Sequence, residues 1–121
     1  MEIRKVGVVG CGNMGSQYTQ ACAQSGYQVI VSEESENQLS RGLAVIDSRL
    51  RGDIEEGRLS LRDKTLIMSR IKGTTDIRDF AECDIVVENV TEKMDLKKKV
   101  FADLDEVCPE HAVLAANTSG L

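Results

Sequence analysis

The stretch Val6-Gly7-Val8-Val9-Gly10-Cys11-Gly12-Asn13-Met14-Gly15 decides the fold of this chain. Its apolar first part is typical of a short buried strand, and a helix-compatible segment follows over residues 14–24. A GxGxxG spacing carries little weight alone, but here the glycines follow a predicted strand and open a predicted helix. That context predicts a tight turn at Gly10, close approach of a phosphate at Gly12 and close helix–strand packing at Gly15.

Glu33 supplies the second half of this pattern. It lies 18 residues after Gly15 and directly follows a predicted strand over residues 28–32. Dinucleotide-binding folds place an acid at about this distance to bind the ribose hydroxyls, and the helix N-terminus suits the diphosphate. Glu34 comes next, and two adjacent carboxylates would repel the 2′-phosphate of NADP. The sequence therefore predicts an NAD site that contains Gly10, Gly12, Asn13, Met14, Gly15 and Glu33.

Short apolar runs alternate with helix-period segments along the rest of the chain. Ser35 and Ser60 each open a helix with the spacing of a capping box. Further strands are predicted over residues 71–75, 84–88 and 112–116, a helical turn over 76–82 and a helix over 94–108. Strands that alternate with helices imply βαβ units. The predicted class is α/β, a Rossmann-type doubly wound, mainly parallel sheet with helices on both faces, in one domain over residues 1–121.

The composition excludes several classes of function. The 121 residues carry a formal net charge of −5, with a pI of about 4.9. An acidic domain is a poor candidate for binding nucleic acid or anionic membranes, and no apolar run approaches the roughly 18 residues of a membrane span. The four cysteines lack CxxC spacing, so we expect reduced, buried thiols in a cytoplasmic protein and no metal site.

Several further segments make the chain recognisable when they are taken in order with the glycine stretch. They are Gly73-Thr74-Thr75-Asp76, Cys83-Asp84-Ile85-Val86-Val87-Glu88, Glu92, Asp95-Leu96-Lys97-Lys98-Lys99-Val100-Phe101-Ala102-Asp103-Leu104-Asp105 and Asn117-Thr118-Ser119. With them, the chain closely resembles the N-terminal NAD-binding domain of 3-hydroxyacyl-CoA dehydrogenases, the 3-hydroxybutyryl-CoA type in particular. The resemblance covers essentially all 121 residues.

The resemblance implies roles for individual positions. Glu33 stands where the family has an acid, usually Asp, that holds the adenosine ribose. Glu92 and Lys97 match positions near the NAD and the edge of the acyl-CoA site. Ser119 matches the serine that lies near the nicotinamide and hydrogen-bonds the 3-oxygen of the substrate, and Asn117 belongs to the same loop. The implied reaction is hydride transfer between C3 of an L-3-hydroxyacyl-CoA and NAD, in a homodimeric parent enzyme.

The acid–base half of that reaction is missing from these residues. In the family the base is a histidine oriented by a glutamate, and both come after the region matched here. The single histidine, His111, precedes the last predicted strand and is interpreted as a surface turn residue. We therefore expect a fragment that binds NAD but lacks the C-terminal catalytic and dimerisation domain, and that is inactive alone.

Some positions depart from the family's pattern. Glu55-Glu56-Gly57-Arg58 stands where relatives commonly have Lys-Lys-Gly-Lys, and basic residues in that region help to hold the CoA phosphates. Asp53 replaces a usual apolar residue, and Gly120 a usual Ser. Two alternatives therefore stay open: a stand-alone NAD-binding regulatory module, and a dehydrogenase of another hydroxy acid.

Overall fold

A computed structural model describes residues 3–88 and 113–116 of the chain. In order, the elements are β1 (Lys5–Val9), α1 (Asn13–Gln24), β2 (Gln28–Ser32), α2 (Glu36–Glu55), α3 (Leu61–Ser69), β3 (Ile71–Thr74), a 3-10 helix (Ile77–Glu82), β4 (Ile85–Glu88) and β5 (Val113–Ala116). The five strands form one sheet in the order β3-β2-β1-β4-β5, and every neighbouring pair is parallel. The predicted α/β class, with its doubly wound sheet, is confirmed.

Side chains that alternate along the strands build two apolar layers. On one face, Val6, Val8, Val29 and Val31 pack against α1, α2 and α3 in a cluster that includes Ile46 and Leu50. On the other face, Val9, Ile30 and Val86 pack against Phe80 and Cys83, in and just after the 3-10 helix. Because parallel strands are buried on both faces, each reads as a continuous apolar run, which is why the sequence identified them.

The helix boundaries follow from their caps. α1 begins one residue earlier than predicted, and α3 has the predicted capping box, with Ser60 and Asp63 each bonded to the other's backbone N–H. At α2 only half of the predicted box forms. The Ser35 hydroxyl accepts from the Gln38 backbone N–H, but the Gln38 side-chain oxygen accepts from that same hydroxyl and not from the Ser35 backbone N–H. The sequence, with Gly52, Asp53 and Gly57, predicts a loosened end for this helix; α2 continues through Gly52 and ends at Glu55.

Parts of two predicted elements lie outside the described residues. The helix predicted over residues 94–108 lies outside them, as does Ala112, the first residue of the last predicted strand. No disulfide joins Cys11, Cys22 and Cys83, while Cys108 is not among the described residues. Among the helices of residues 3–88, none has the length and apolar character to cross a membrane.

Candidate functional site

The site lies where β1 and β2 end side by side. Val9 and Ser32 are paired at the carboxyl ends of the two strands, so the glycine loop and Glu33 emerge together. Gly10 turns the chain with φ of 98°, and its N–H donates to the Ser32 carbonyl at 2.8 Å. That positive φ suits glycine alone among common residues, since it has no Cβ. The predicted tight turn at Gly10 is therefore present.

Gly15 is where α1 touches the loop. A Cβ added to Gly15 would lie 1.8 Å from the Gly10 carbonyl oxygen and 2.7 Å from its carbon. No side chain fits at that distance without moving the backbone. Close packing of the helix on the loop, predicted from the GxGxxG spacing, therefore depends on the missing Cβ.

Gly12, unlike Gly15, faces open space. It is the N-cap of α1 and makes no side-chain capping hydrogen bond, and an added Cβ would meet no atom within 4 Å. The first N–H groups of a helix have no partner inside it and carry about half a positive charge. The opening at Gly12 is thus a place where a phosphate can reach these groups.

Glu33 closes over this loop from the end of β2. Its Oε2 accepts a hydrogen bond from the Cys11 backbone N–H at 2.8 Å, and its own N–H donates to the Thr74 carbonyl at 3.1 Å. Within the described residues, its other carboxylate oxygen accepts no hydrogen bond. The structure therefore brings the predicted ribose-binding acid onto the predicted phosphate-binding loop and leaves one oxygen for a ligand hydroxyl. Glu34 is exposed beside it.

A cleft of about 390 Å³ joins these groups. It is lined by residues of the loop, of α1 and of α2: Cys11, Gly12, Asn13, Ser16, Glu33, Gln38, Arg41, Gly42, Val45 and Arg49. A second cleft of about 340 Å³ opens at the other end of the sheet, where Lys5 and Gln28 begin their strands. Ligands of open parallel sheets bind at the carboxyl ends of the strands. The first cleft is therefore the candidate site.

Two arginines in this cleft were not among the predicted site residues. The Arg49 guanidinium donates from Nη1 to Ser16 Oγ at 3.1 Å, and its Nη2 lies 3.5 Å from Asn13 Oδ1. Arg41 lines the same wall. Arg41, Val45 and Arg49 are spaced four apart, hence on one helix face, and that spacing is the sequence signal that could have found them. Glu88, fully buried at the end of β4, is a further acid at this edge of the sheet.

Cys11 lies inside the loop but is not a nucleophile at neutral pH. Burial raises the pKa of its thiol from the ordinary 9.0 to about 11; the nearby Glu33 charge acts in the same direction and Arg49 opposes it. The thiol instead fills space, since a Cβ on Gly42 would lie 2.4 Å from both its Sγ and its carbonyl oxygen. α2 can approach the loop this closely because residue 42 is glycine.

The raised pKa predicts slow labelling of Cys11. A thiol with a pKa of about 11 has about a hundredfold less thiolate at pH 8 than one with a pKa of 9.0. Iodoacetamide labelling at pH 8, mapped by mass spectrometry, should be about a hundredfold slower at Cys11 in the folded chain than in urea. Labelling should accelerate as the pH approaches 11. Equal rates in the folded and unfolded chains would contradict this environment.

Four predicted site residues, Glu92, Lys97, Asn117 and Ser119, lie outside the described residues, as does His111. Their roles stay predictions. Met14 is in the first turn of α1, 40% exposed, and Asn13 reaches Arg49. Among residues 3–88 and 113–116, no three His, Cys, Asp or Glu side chains are arranged to hold a metal ion.

Comparisons with known proteins agree with this geometry. The family model described as "3-hydroxyacyl-CoA dehydrogenase, NAD binding domain" matches residues 5–121. A 3-hydroxybutyryl-CoA dehydrogenase of Bradyrhizobium diazoefficiens is 34% identical over 98% of this chain and 41% of its own length. A peroxisomal fatty acid beta-oxidation multifunctional protein of Oryza sativa subsp. japonica is 42% identical over 98% of this chain and 16% of its own.

A solved structure gives the same result. The crystal structure of (S)-3-hydroxybutyryl-CoA dehydrogenase from Ralstonia eutropha superposes with a TM-score of 0.95 at 38% identity, covering 99% of this chain and 42% of that one. The chain thus spans less than half the length of these relatives. With a glycine loop, an acid on the loop and an open N-cap in the expected places, the chain belongs to the family of NAD-binding domains of 3-hydroxyacyl-CoA dehydrogenases.

Proposed function

We propose that the protein carrying this domain transfers hydride between NAD and an L-3-hydroxyacyl-CoA, interconverting the 3-hydroxyacyl and 3-ketoacyl thioesters. The observation that carries the proposal is the Glu33 carboxylate held 2.8 Å from the Cys11 N–H, beside the open N-cap at Gly12. This pairing of a ribose acid with a phosphate loop is what a dinucleotide requires. Membership of the family supports the hydroxyacyl-CoA side of the reaction.

The residues present fit NAD. The space beside Gly12, which a Cβ would begin to fill, admits a diphosphate to the first N–H groups of α1. The Glu33 oxygen that accepts no hydrogen bond in the described residues is available to the ribose hydroxyls, and Glu34 adds a second negative charge against a 2′-phosphate. When bound, NAD supplies the hydride acceptor. The chain's own contribution is to hold and orient the adenosine half.

Changing Glu33 should weaken NADH binding. The Glu33→Ala substitution removes both the ribose acceptor and the bond to Cys11 N–H, so we expect affinity to fall by about tenfold or more. The Glu33→Gln substitution keeps an oxygen for the Cys11 N–H but loses the charge. This variant should therefore keep the conformation of the glycine loop, lose part of the NADH affinity and show a smaller preference for NADH over NADPH. Fluorescence titration with both cofactors measures these effects.

Glu36→Ala is the matched control for this series. Glu36 is an exposed acid in the first turn of α2, three residues further along the chain. Its replacement should leave the NADH affinity within about twofold of that of the unmodified chain. Unchanged NADH binding in Glu33→Ala, or an equal loss in Glu36→Ala, would remove Glu33 from the site.

The substrate side of the proposal rests on positions that follow from the resemblance. Ser119 is proposed to bind the 3-oxygen of the substrate, and Lys97 and Glu92 to lie at the edge between NAD and acyl-CoA. Of the two acids that stand in place of the usual lysines, Glu56 has a cationic partner, Arg58 at 2.8 Å. Arg58 also pairs with Asp53 at 3.3 Å, but all three side chains are at least partly exposed and such pairs are weak.

The reaction is tested with acetoacetyl-CoA and NADH. A base must take up the hydroxyl proton as hydride leaves C3, and His111 is the single histidine of the 121 residues. We therefore expect no detectable turnover by these residues alone and robust turnover by the full-length product. Rapid turnover by the 121-residue chain would contradict the claim that the catalytic base is missing from it. An inactive full-length protein would contradict the assignment of the substrate as a 3-hydroxyacyl-CoA.

A second candidate is a dehydrogenase of another hydroxy acid. Glu55 and Glu56 favour it, since carboxylates in place of lysines would repel the CoA phosphates. Assaying the full-length protein with free 3-hydroxy acids beside the CoA thioester distinguishes the two. The proposal extends to a homodimer for the whole protein, which the resemblance supports and gel filtration of that protein would test. A cytoplasmic location is proposed separately, from the four cysteines without CxxC spacing that are expected to stay reduced.

A further inference from the structure

Arg49 is a cation in the candidate cleft whose charge has no acidic partner in the part of the chain that the structure describes. Its guanidinium contacts two neutral oxygens, Ser16 Oγ at 3.1 Å and Asn13 Oδ1 at 3.5 Å. Within residues 3–88 and 113–116, no carboxylate lies within ion-pair distance of it. Arg51, two residues on, is different, because it pairs with Asp47 at 2.9 Å. A guanidinium has five N–H donors, so Arg49 keeps several for another acceptor.

The surroundings of Arg49 make the cleft wall positive. The first turn of α1 contains no acid and its N-cap offers no side chain, so its N–H groups face the cleft uncompensated. Arg41 lines the same wall. The facing acid is Glu33, whose Oε2 is already bonded to the Cys11 N–H. The charge of Arg49 also acts on the loop itself, since it lowers the pKa of Cys11 against the effects of burial and Glu33.

We propose that Arg49 binds the diphosphate of the NAD held on the glycine loop. The inference rests on the proposed function, because it takes the diphosphate to lie at the open N-cap of α1. Contacts with Asn13 and Ser16 hold the planar guanidinium at the first turn of that helix, where the phosphate oxygens would arrive. Planar, bidentate recognition of phosphate is the chemistry for which arginine is suited and lysine is not.

A purely structural role is the competing explanation, since Arg49 also joins α2 to α1. The two roles differ in which ligands the loss of Arg49 affects. If Arg49 serves only to join the helices, its loss should lower the affinities for NADH, ADP-ribose and adenosine alike, because the loop and α2 would shift together. If Arg49 binds the diphosphate, its loss should weaken NADH and ADP-ribose but spare adenosine, and should flatten the salt dependence of NADH binding.

The experiment compares Arg49→Met, Arg49→Lys and the control Arg51→Met in the 121-residue chain. NADH is titrated by fluorescence, ADP-ribose and adenosine compete against it, CoA is titrated separately, and thermal unfolding checks each fold. We expect Arg49→Met to weaken NADH and ADP-ribose by about tenfold, adenosine by less than about twofold, and to flatten the salt dependence. Arg49→Lys should recover part of the loss, and Arg51→Met should bind NADH normally.

Three results would overturn the proposal. They are an NADH affinity of Arg49→Met within about twofold of the unmodified chain, an equal loss of affinity for adenosine in Arg49→Met, and a loss of affinity confined to CoA, which would assign Arg49 to the substrate instead of NAD. Failure of the unmodified, folded chain to bind NADH is a separate result. It would contradict the proposed function itself, before any variant is compared.

Discussion

The Gly12→Val substitution is expected to abolish NADH binding while the chain stays folded. Gly12 is in extended conformation, with φ of −76° and ψ of −156°, and an added Cβ would meet no atom within 4 Å. The valine side chain would occupy the space through which a diphosphate reaches the first N–H groups of α1. We expect affinity to fall by about a hundredfold or more, a loss of roughly 3 kcal/mol of binding free energy.

Stability should change little in the same variant. Valine is a poorer N-cap than glycine, so we expect the free energy of unfolding to fall by about 1 kcal/mol. Gly52→Val is the matched control, because a Cβ on Gly52 in α2 also meets no atom within 4 Å. It should bind NADH normally. The assignment of Gly12 to the diphosphate would be wrong if Gly12→Val bound NADH as tightly as Gly52→Val.

The Gly15→Ala substitution should have the reverse profile, a loss of stability first. The added Cβ would lie 1.8 Å from the Gly10 carbonyl oxygen, so α1 and the loop must separate. Overpacking against backbone should cost about 3 kcal/mol or more, which outweighs the roughly 1 kcal/mol that alanine gains over glycine in a helix. Urea unfolding followed by circular dichroism measures the change, and NADH affinity should fall because the loop has moved.

Gly52→Ala isolates the helix-propensity part of that result. Gly52 lies within α2 with space around its Cβ position, so alanine should stabilise the chain by about 0.5–1 kcal/mol. A Gly15→Ala variant as stable as the unmodified chain would contradict the close contact between Gly10 and Gly15. Gly15 would then, like Gly52, be a helical glycine with room for a side chain.

Local sequence patterns predicted the parts of the site that local geometry determines. The turn at Gly10, the start of α1 and the acid after β2 each depend on residues close in sequence. The turn and the acid are where the pattern places them, and α1 begins within one residue of its predicted start. The strands were equally predictable from the sequence, because burial on both faces makes each one a continuous apolar run. Ser60 and Asp63 likewise form their predicted capping box within four residues of chain.

The same local patterns could not predict packing between elements that are distant in sequence. Arg49 reaches Ser16 across 33 residues of sequence, and its position follows from how α2 crosses α1. Gly42 shows the same dependence, since only the folded chain brings it against Cys11. At Gly52 the local penalty for glycine predicted a loosened helix, but α2 continues to Glu55. Tertiary packing of Ile46 and Leu50 against the sheet is strong enough to override that penalty.

The most direct test of the central claim is an equilibrium titration of the 121-residue chain with NADH. Circular dichroism first establishes that the chain is folded, and nicotinamide fluorescence then follows binding, with NAD and ADP-ribose as competitors. We predict saturable binding with one site per chain, displaced by both competitors and far more weakly by NADPH. A folded chain that shows no saturable binding of NADH would contradict the assignment of this cleft to NAD.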